Sequence, residues 1–215
     1  MRWKLVALTA VVTLAAVACV DKRPDGRTTV VALGDSLTAP VGKRSHDDWW
    51  RWADSEGRFR LLAAAGVPGQ RSDEILARVD RDVVRRRPDV AIVLAGTNDI
   101  GQGVEALTIV ANLAAIYDAL TTAGIRFVAI TIPPMVMLDP AQVASHEAVN
   151  AWLRDTVDSR WAGARLADWS DELSVGGDGV SPRPDYFVDG IHFSSAGARA
   201  AGEAIARVLA ELEGV

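Results

Sequence analysis

Residues 30–40, VVALGDSLTAP, determine how the rest of the chain is interpreted. The first half is an uninterrupted apolar run, which is typical of a strand buried on both faces of a sheet. The run stops at Gly34, and Asp35 and Ser36 follow where the strand would leave the sheet. A serine at that point can cap a helix, form a turn or act as a nucleophile, so the remaining segments must decide between these roles.

Apolar strand candidates and helical patterns alternate along the chain. We predict strands at residues 29–33, 60–64, 90–95, 125–132 and 164–167. We predict helices at residues 47–54, 73–86, 104–122, 140–158 and 195–212, where apolar residues recur at spacings of three and four. Strands that are buried on both faces and separated by helices indicate a parallel sheet. The sequence therefore predicts an α/β fold, a three-layer α/β/α sandwich with a five-stranded parallel sheet.

The N-terminal residues have the organisation of a secretory signal. Arg2 and Lys4 form a short basic region, and residues 5–17 carry no charge. The uncharged run of residues 5–20 has 16 residues, fewer than the roughly 20 that a membrane-spanning helix requires, which disfavours a permanent transmembrane anchor. The segment ends in AVAC at residues 16–19, which resembles a bacterial lipobox and would make Cys19 a lipidated mature N-terminus. Cleavage and release without a lipid is the alternative.

We therefore predict a signal peptide with a lipobox at residues 1–19, a polar linker at residues 20–28 and one folded domain at residues 29–215. The expected localisation is extracytoplasmic, either tethered to the cell membrane through a lipid on Cys19 or secreted. Cys19 is the only cysteine, which excludes a disulfide framework and a cysteine metal site. Without Arg2 and Lys4 the chain has 21 basic and 28 acidic residues, and the resulting charge of −7 argues against nucleic acid as a partner.

Three short motifs lie where predicted strands end or where the last predicted helix begins. They are GDSL at residues 34–37, GTND at residues 96–99 and DGIH at residues 189–192. In parallel sheets, ligands bind at the carboxyl ends of the strands. Together with GVPG at residues 66–69, these blocks and their order resemble those of the GDSL, or SGNH, hydrolase family, from about residue 29 to the C-terminus. The second block departs from the family's pattern, since Ala64 stands where the family often has asparagine.

The resemblance implies a flavodoxin-like fold and a serine esterase that needs no metal or other cofactor and acts on a small ester substrate. It implies Ser36 as the nucleophile of an acyl-enzyme mechanism. It also implies three donors to the oxyanion: the backbone N–H groups of Ser36 and Gly69 and the side-chain amide of Asn98. Asp35 is expected to point away from the nucleophile and to hold its loop, and Asp99 is expected to be structural as well.

A serine hydroxyl needs a base within about 3 Å, and the chain offers three histidines for that role. His46 lies in a polar loop and His146 in the middle of a predicted helix, so both are interpreted as exposed or structurally satisfied. Asp189 precedes His192 by three residues in a turn, which can place a carboxylate on one imidazole nitrogen and leave the other facing Ser36. We therefore predict a catalytic triad of Ser36, His192 and Asp189.

Other classes of protein fit the sequence less well. An α/β-hydrolase would need Gly-x-Ser-x-Gly, which does not occur in the chain. A metallohydrolase would use Asp35, Asp99, Asp189 and His192, but a two-metal site normally needs more histidines. A non-catalytic tethered binding protein would have no reason to keep the whole set of site residues. Among ester substrates, a small acyl ester such as an acetylated sugar is favoured, with a lysophospholipid or a thioester as the alternative.

Two further segments bear on the substrate cleft. Trp49 and Trp52 share one face of the predicted helix at residues 47–54, while Trp50 points elsewhere. We expect two of these three rings to pack on the sheet and the remaining ring to border the cleft. The glycine- and proline-rich loop at residues 176–187 is expected to shape the rim of the cleft.

Overall fold

The computed structural model describes residues 26–40, 48–54 and 57–214. The predicted signal peptide with Cys19, most of the predicted linker, and His46 lie outside the described residues. Within them, five strands form one parallel sheet: β1 (Thr28–Gly34), β2 (Phe59–Gly66), β3 (Val90–Val93), β4 (Arg126–Ile130) and β5 (Ala164–Ala167). The strand order is β2-β1-β3-β4-β5, which confirms the predicted flavodoxin-like fold.

Helices connect the strands and cover both faces of the sheet. In the described ranges the α-helices are α1 (Trp49–Ala53), α2 (Ser72–Leu76), α3 (Val79–Asp82), α4 (Thr97–Gly101), α5 (Ala106–Thr122), α6 (Pro140–Arg160), α7 (Ser170–Leu173) and α8 (Ser195–Glu213). Two 3₁₀ turns lie at Val84–Arg86 and Val175–Gly177. No helix among the described residues combines the length and apolar character that a bilayer crossing requires.

The two cores follow from the alternation of side chains along β1. Val31 and Leu33 face a core that is shared with α2, α3, α5 and α6. Val30 and Ala32 face a second core that is shared with α1, α7 and α8. Because successive side chains of a strand point to opposite faces, an apolar strand such as β1 packs against both layers of helices.

The predicted helix at residues 73–86 is divided, which corrects the sequence-based expectation. It consists of α2, α3 and a 3₁₀ turn, and the first interruption is at Arg78, whose φ and ψ are −116° and 3°. The Arg78 side chain donates hydrogen bonds to the carbonyl oxygens of Gly34 at 2.7 Å and Ala65 at 2.9 Å. The interruption thus coincides with a residue whose side chain binds the ends of two strands, and helical periodicity does not reveal such contacts.

The order of the strands determines which motifs meet. Since β1 lies between β2 and β3, the loops that follow these three strands share the carboxyl edge of the sheet. The GDSL block begins at the last residue of β1, and the GVPG block begins at the last residue of β2. The GTND block follows β3 and leads into α4, a helix that was not predicted. The DGIH block precedes α8, which packs on the second core. Ser36 therefore lies at the centre of this edge.

The expectation that one tryptophan of α1 borders the cleft is wrong. Trp49 is fully buried, and Trp52 packs against α8, where its ring lies 5.3 Å from the Arg199 guanidinium carbon. The ring of Trp50 packs with Phe59 and Leu209 on the second face of the sheet. All three rings therefore serve the packing of α1.

Candidate active site

The loop after β1 is held by the residue that precedes the serine. Asp35 is fully buried and accepts a hydrogen bond from the backbone N–H of Leu37 at 2.9 Å. Its backbone carbonyl accepts from the N–H groups of Thr38 at 3.2 Å and Ala39 at 3.0 Å. These bonds close a tight turn around Ser36, and the Asp35 side chain points into the protein, as the sequence predicts.

The structure brings Ser36, His192 and Asp189 into one chain of hydrogen bonds. The Nε2 atom of His192 lies 3.0 Å from Ser36 Oγ, and its Nδ1 atom lies 2.8 Å from Asp189 Oδ2. An ionised carboxylate can only accept, so Nδ1 carries the proton and the Nε2 lone pair is left to accept from the serine hydroxyl. This arrangement can deprotonate Ser36 as it attacks an electrophile.

The turn at residues 189–192 orients the histidine. Asp189 Oδ1 accepts from the backbone N–H groups of Ile191 at 3.0 Å and His192 at 2.7 Å. The hydrogen bonds from His192, first from its backbone and then from its side chain, lower the pKa of Asp189 to about 2. The turn requires Gly190, whose φ is +83° and whose Cβ, if present, would collide with Val136. Asp189 is therefore ionised at neutral pH and fixed on the imidazole.

The predicted oxyanion donors lie in loops that are tied to each other. Pro68 and Gly69 occupy the middle of a turn that is closed by the Gln70 N–H donating to Val67 O at 3.3 Å, and Gly69 has a φ of +79°. The Asn98 side-chain amide donates to Gln70 O at 2.9 Å and lies 3.4 Å from Asp35 Oδ2. Asn98 thus joins the loop that carries Gly69 to the loop that carries Ser36.

Two of these donors are unused within the protein. Among the residues that the structure describes, the backbone N–H groups of Ser36 and Gly69 donate to no acceptor. Unpaired N–H groups at the edge of a sheet are suited to bind a negatively charged oxygen.

The remaining predicted residues have structural partners. Both carboxylate oxygens of Asp99 accept hydrogen bonds from Ser72, from its N–H at 2.8 Å and its hydroxyl at 2.6 Å. His146 is buried, which lowers its pKa, and its Nε2 atom lies 3.1 Å from Ile132 O and 3.0 Å from Pro133 O. In the described part of the chain, no three His, Cys, Asp or Glu side chains are grouped as metal ligands.

One residue that supports the site was not singled out in the sequence. The Arg78 guanidinium is buried, and besides the Gly34 and Ala65 carbonyls it binds Gln70 Oε1 at 2.6 Å and Asp82 at 3.0 Å. It therefore holds the ends of β1 and β2 against the loop that carries Gly69. The sequence did contain an indication of this role. Arg78 is a cation on the apolar face of the helical pattern, three residues after Ile75 and one before Val79.

A parallel α/β sheet in which the loop after the first strand carries a serine, and in which that serine is hydrogen-bonded through a histidine to an aspartate, defines a serine hydrolase. The sequence model of the GDSL-like lipase/acylhydrolase family matches residues 32–200, and the chain therefore belongs to this family of ester hydrolases. No curated protein matches the sequence.

Several solved structures share the fold. A protein of the G-D-S-L family from Desulfitobacterium hafniense DCB-2 is 18% identical, with a TM-score of 0.69 over 85% of this chain and 99% of that chain. The psychrotrophic esterase EstA from Pseudoalteromonas sp. is 18% identical, with a TM-score of 0.67 over 87% and 100% of the two chains. A carbohydrate esterase family 3 protein from Talaromyces cellulolyticus is 19% identical, with a TM-score of 0.62 over 87% and 99%.

Proposed function

We propose that this protein is an exported serine esterase that cleaves a carboxylic ester through an acyl-enzyme intermediate, with Ser36, His192 and Asp189 as its catalytic triad. The observation that carries the proposal is the unbroken chain of hydrogen bonds from Ser36 Oγ through the imidazole to Asp189, at 3.0 Å and 2.8 Å. Both distances are within the range for proton transfer between a nucleophile and its base.

In the acylation step, Ser36 Oγ attacks the carbonyl carbon of the ester while its proton passes to His192 Nε2. The carbonyl oxygen becomes an oxyanion and accepts hydrogen bonds from the N–H groups of Ser36 and Gly69 and from the Asn98 amide. When the intermediate collapses, the bond to the alcohol oxygen breaks and that oxygen takes the proton from His192. The alcohol leaves, and the acyl group remains on Ser36.

Deacylation repeats these steps with water. His192 takes a proton from water, the resulting hydroxide attacks the acyl carbon, and the same donors bind the second oxyanion. The bond to Ser36 Oγ then breaks, the serine recovers its proton from His192, and the carboxylic acid leaves. Asp189 stays ionised throughout and stabilises the imidazolium that forms in both steps.

For the substrate we propose a small acyl ester of a carbohydrate, so that the enzyme acts as an O-deacetylase. Support comes from the structural similarity to the carbohydrate esterase of Talaromyces cellulolyticus.

A second candidate, a lysophospholipase or thioesterase, is favoured by a specific feature of the surface. Met137 and Val188 are 89% and 70% exposed, and both lie close to Asp189, since Val188 precedes it and Val136 N donates to Gly190 O at 3.2 Å. Exposed aliphatic side chains at this place could contact a longer acyl chain.

For the location we propose export and attachment to the membrane through a lipid on Cys19. The support is the basic and apolar composition of residues 1–18 and the AVAC sequence at residues 16–19. Intact-mass measurement of protein from a bacterial membrane fraction tests this proposal. A mass that corresponds to cleavage before Cys19 with added lipid is expected, and a soluble product that starts elsewhere would refute it.

The catalytic proposal is tested with purified protein, a fluorophosphonate probe and p-nitrophenyl esters from acetate to palmitate. Ser36→Ala should lose ester hydrolysis and labelling with an unchanged Tm, while the matched surface variant Ser159→Ala should retain both. Turnover above about a hundredth of the wild type in Ser36→Ala would refute Ser36 as the nucleophile.

The same ester series tests the substrate. Preference for acetate supports the deacetylase, and preference for long chains supports the second candidate. Loss of activity in EDTA that is restored by a divalent metal would contradict the serine mechanism.

A further inference from the structure

A row of buried aromatic rings runs behind the triad, and we call Trp49, Trp169, Phe193 and Phe187 the aromatic row. The rings of Trp49 and Trp169 meet edge to face, with centroids 5.3 Å apart and planes at 78°. The rings of Trp169 and Phe193 meet in the same way, at 5.5 Å and 81°. Phe187 continues the row at 5.4 Å from Phe193. All four rings are buried in the second core.

One end of the aromatic row holds the nucleophile loop. The indole N–H of Trp49 donates to the backbone carbonyl of Leu37 at 2.9 Å, and Leu37 directly follows Ser36. The N–H of Leu37 is already bound to Asp35. Both backbone polar groups of Leu37 are therefore fixed, one by the loop itself and the other by a ring of α1.

The other end of the row holds the turn of the histidine. Phe193 directly follows His192 and forms an isolated antiparallel bridge with Phe187. Between them, the N–H of Val188 donates to the carbonyl of His192 at 2.9 Å. The His192 and Asp189 side chains themselves are 46% and 53% exposed. Their positions therefore depend largely on the backbone of residues 188–192, which the buried rings of Phe187 and Phe193 hold in place.

Trp169 joins the two ends. It is fully buried, it follows β5, and its backbone N–H donates to the Thr131 hydroxyl at 2.8 Å. Its indole N–H donates to the carbonyl of Ala201 in α8 at 3.1 Å. The Trp169 ring is thus fixed to the sheet and to α8 while it contacts the ring on the serine side and the ring on the histidine side.

We propose that Trp169 is a positioning residue that sets the separation between Ser36 Oγ and His192 Nε2. This inference rests on the proposed function, because the separation matters only if His192 takes the proton of Ser36. Indole and phenyl rings have only two side-chain torsions each, and edge-to-face contacts are directional. A shift of one ring in the aromatic row therefore displaces the neighbouring rings, and with them the loops that carry Ser36 and His192. A displacement of about 1 Å at a reacting centre can lower the rate by about a hundredfold.

The chain contains a matched control at the opposite end of β5. Trp161 is buried, precedes β5 and therefore lies towards the amino end of the strands. Its ring meets Tyr117 edge to face at 5.2 Å, and its indole N–H donates to Asp118 at 2.7 Å. Trp161 belongs to the first core, whereas the aromatic row belongs to the second. Trp161 and Trp169 thus resemble each other in burial and contacts and differ in their connection to the triad.

The experiment compares Trp169→Leu with Trp161→Leu in the full-length protein. Tm is measured first for both variants. Then kcat, KM and the rate at which a fluorophosphonate labels Ser36 are measured at a temperature well below the lower of the two Tm values. Both substitutions should lower Tm. Trp169→Leu should lower kcat and the labelling rate by about 10- to 100-fold with KM within about threefold, whereas Trp161→Leu should keep kcat within about threefold of the wild type. Equal kcat losses in the two variants, or an unchanged kcat in Trp169→Leu, would overturn the proposal.

If either leucine variant does not fold, the pair Trp169→Phe and Trp161→Phe decides by the same comparison, with smaller effects. Phenylalanine retains a ring but loses the indole N–H and part of the contact. Labelling of the wild type keeps the two proposals apart. A wild type that is not labelled at Ser36 contradicts the proposed function, whereas a labelled wild type with equal losses at the two tryptophans contradicts only the role of Trp169.

Discussion

The imidazole of His192 lies 3.0 Å from the hydroxyl of Ser36, although 156 residues separate them in the chain. Ser36 is placed by the end of β1, and His192 by a turn that precedes α8. The same imidazole is bound to Asp189, only three residues away, at 2.8 Å. A local contact thus orients the histidine, and a long-range contact brings it to Ser36.

Asp189→Asn should lower kcat by about a hundredfold or more while KM changes little. An asparagine amide can donate to Nδ1 and so stabilise the tautomer whose Nε2 carries the proton and cannot accept one from Ser36. Steady-state kinetics on p-nitrophenyl acetate measures the effect. His146→Ala is the comparison, because this buried histidine binds the carbonyls of Ile132 and Pro133 and should affect stability more than kcat. A kcat loss in His146→Ala as large as that in Asp189→Asn would contradict the assignment of the base.

Activity should fall on acidification, by about tenfold per pH unit on the acid limb, because a protonated His192 cannot accept the proton of Ser36. Asp189 does not produce this limb, since the hydrogen bonds from His192 hold its pKa at about 2. Burial raises the pKa of Asp35 to about 6, so this carboxyl also changes its charge on acidification. The pH profile of kcat/KM in Asp35→Asn separates these groups. The acid limb should persist in Asp35→Asn. If the limb disappears in this variant, Asp35 and not His192 causes it.

Asn98→Ala should lower kcat by about 10²- to 10³-fold, because it removes a side-chain donor to the oxyanion and the bond to Gln70 O. KM should change little, since the oxyanion exists only in and near the transition state. Asn112→Ala serves as the control, because the Asn112 amide binds the Ser72 hydroxyl at 2.9 Å and Asn112 lies in α5, outside the loops that carry Ser36 and Gly69. If the two alanine variants keep the same kcat, Asn98 is not an oxyanion donor.

Asp35→Asn should become more stable relative to the wild type as the pH rises. Burial raises the pKa of Asp35 from 3.8 to about 6, so the folded protein holds this proton more tightly than the unfolded chain does. The wild type therefore loses stability between about pH 4 and pH 6, by about 3 kcal/mol from this group, and the loss is complete above pH 6. Asparagine does not titrate. Denaturant unfolding of both proteins at pH 4 and pH 7.5 measures the change, and a difference that does not depend on pH would contradict it.

Arg78→Met should lower the free energy of unfolding by about 3 kcal/mol, because it removes the buried guanidinium that binds the Ala65 and Gly34 carbonyls and leaves Gly34 O with only the bond from Val67 N–H at 3.1 Å. It should also lower kcat, since the Arg78 side chain holds Gln70, which follows Gly69. Arg81→Met is the matched control. Arg81 binds the same Asp82 at 2.7 Å, but its side chain is 68% exposed, so its loss should change the free energy of unfolding little. Similar losses in urea unfolding would show that Arg78 acts only through Asp82.

The positions of the strands and of the site blocks could be predicted from the sequence. A strand that is buried on both faces needs apolar side chains at every position, so the run that ends at Gly34 identified β1. The carboxyl ends of parallel strands share one edge, so the blocks that follow β1, β2 and β3 could be expected to meet. The pairing of His192 with Asp189 was also accessible, because residues three apart in a turn are neighbours whatever the rest of the fold does.

Only the tertiary structure decided which distant groups are partners. Hydrophobic periodicity indicates that a residue is buried but not what it contacts. The sequence therefore could not show that the helix is interrupted at Arg78 or that the side chain of this residue binds Gly34 O, 44 residues away. For the same reason it could not distinguish Trp169, which contacts the rings beside the serine and histidine loops, from Trp161, which packs in the opposite core. These contacts depend on the strand order β2-β1-β3-β4-β5 and on the placement of α1 and α8 on one face of the sheet. That arrangement arises only when all the layers pack together.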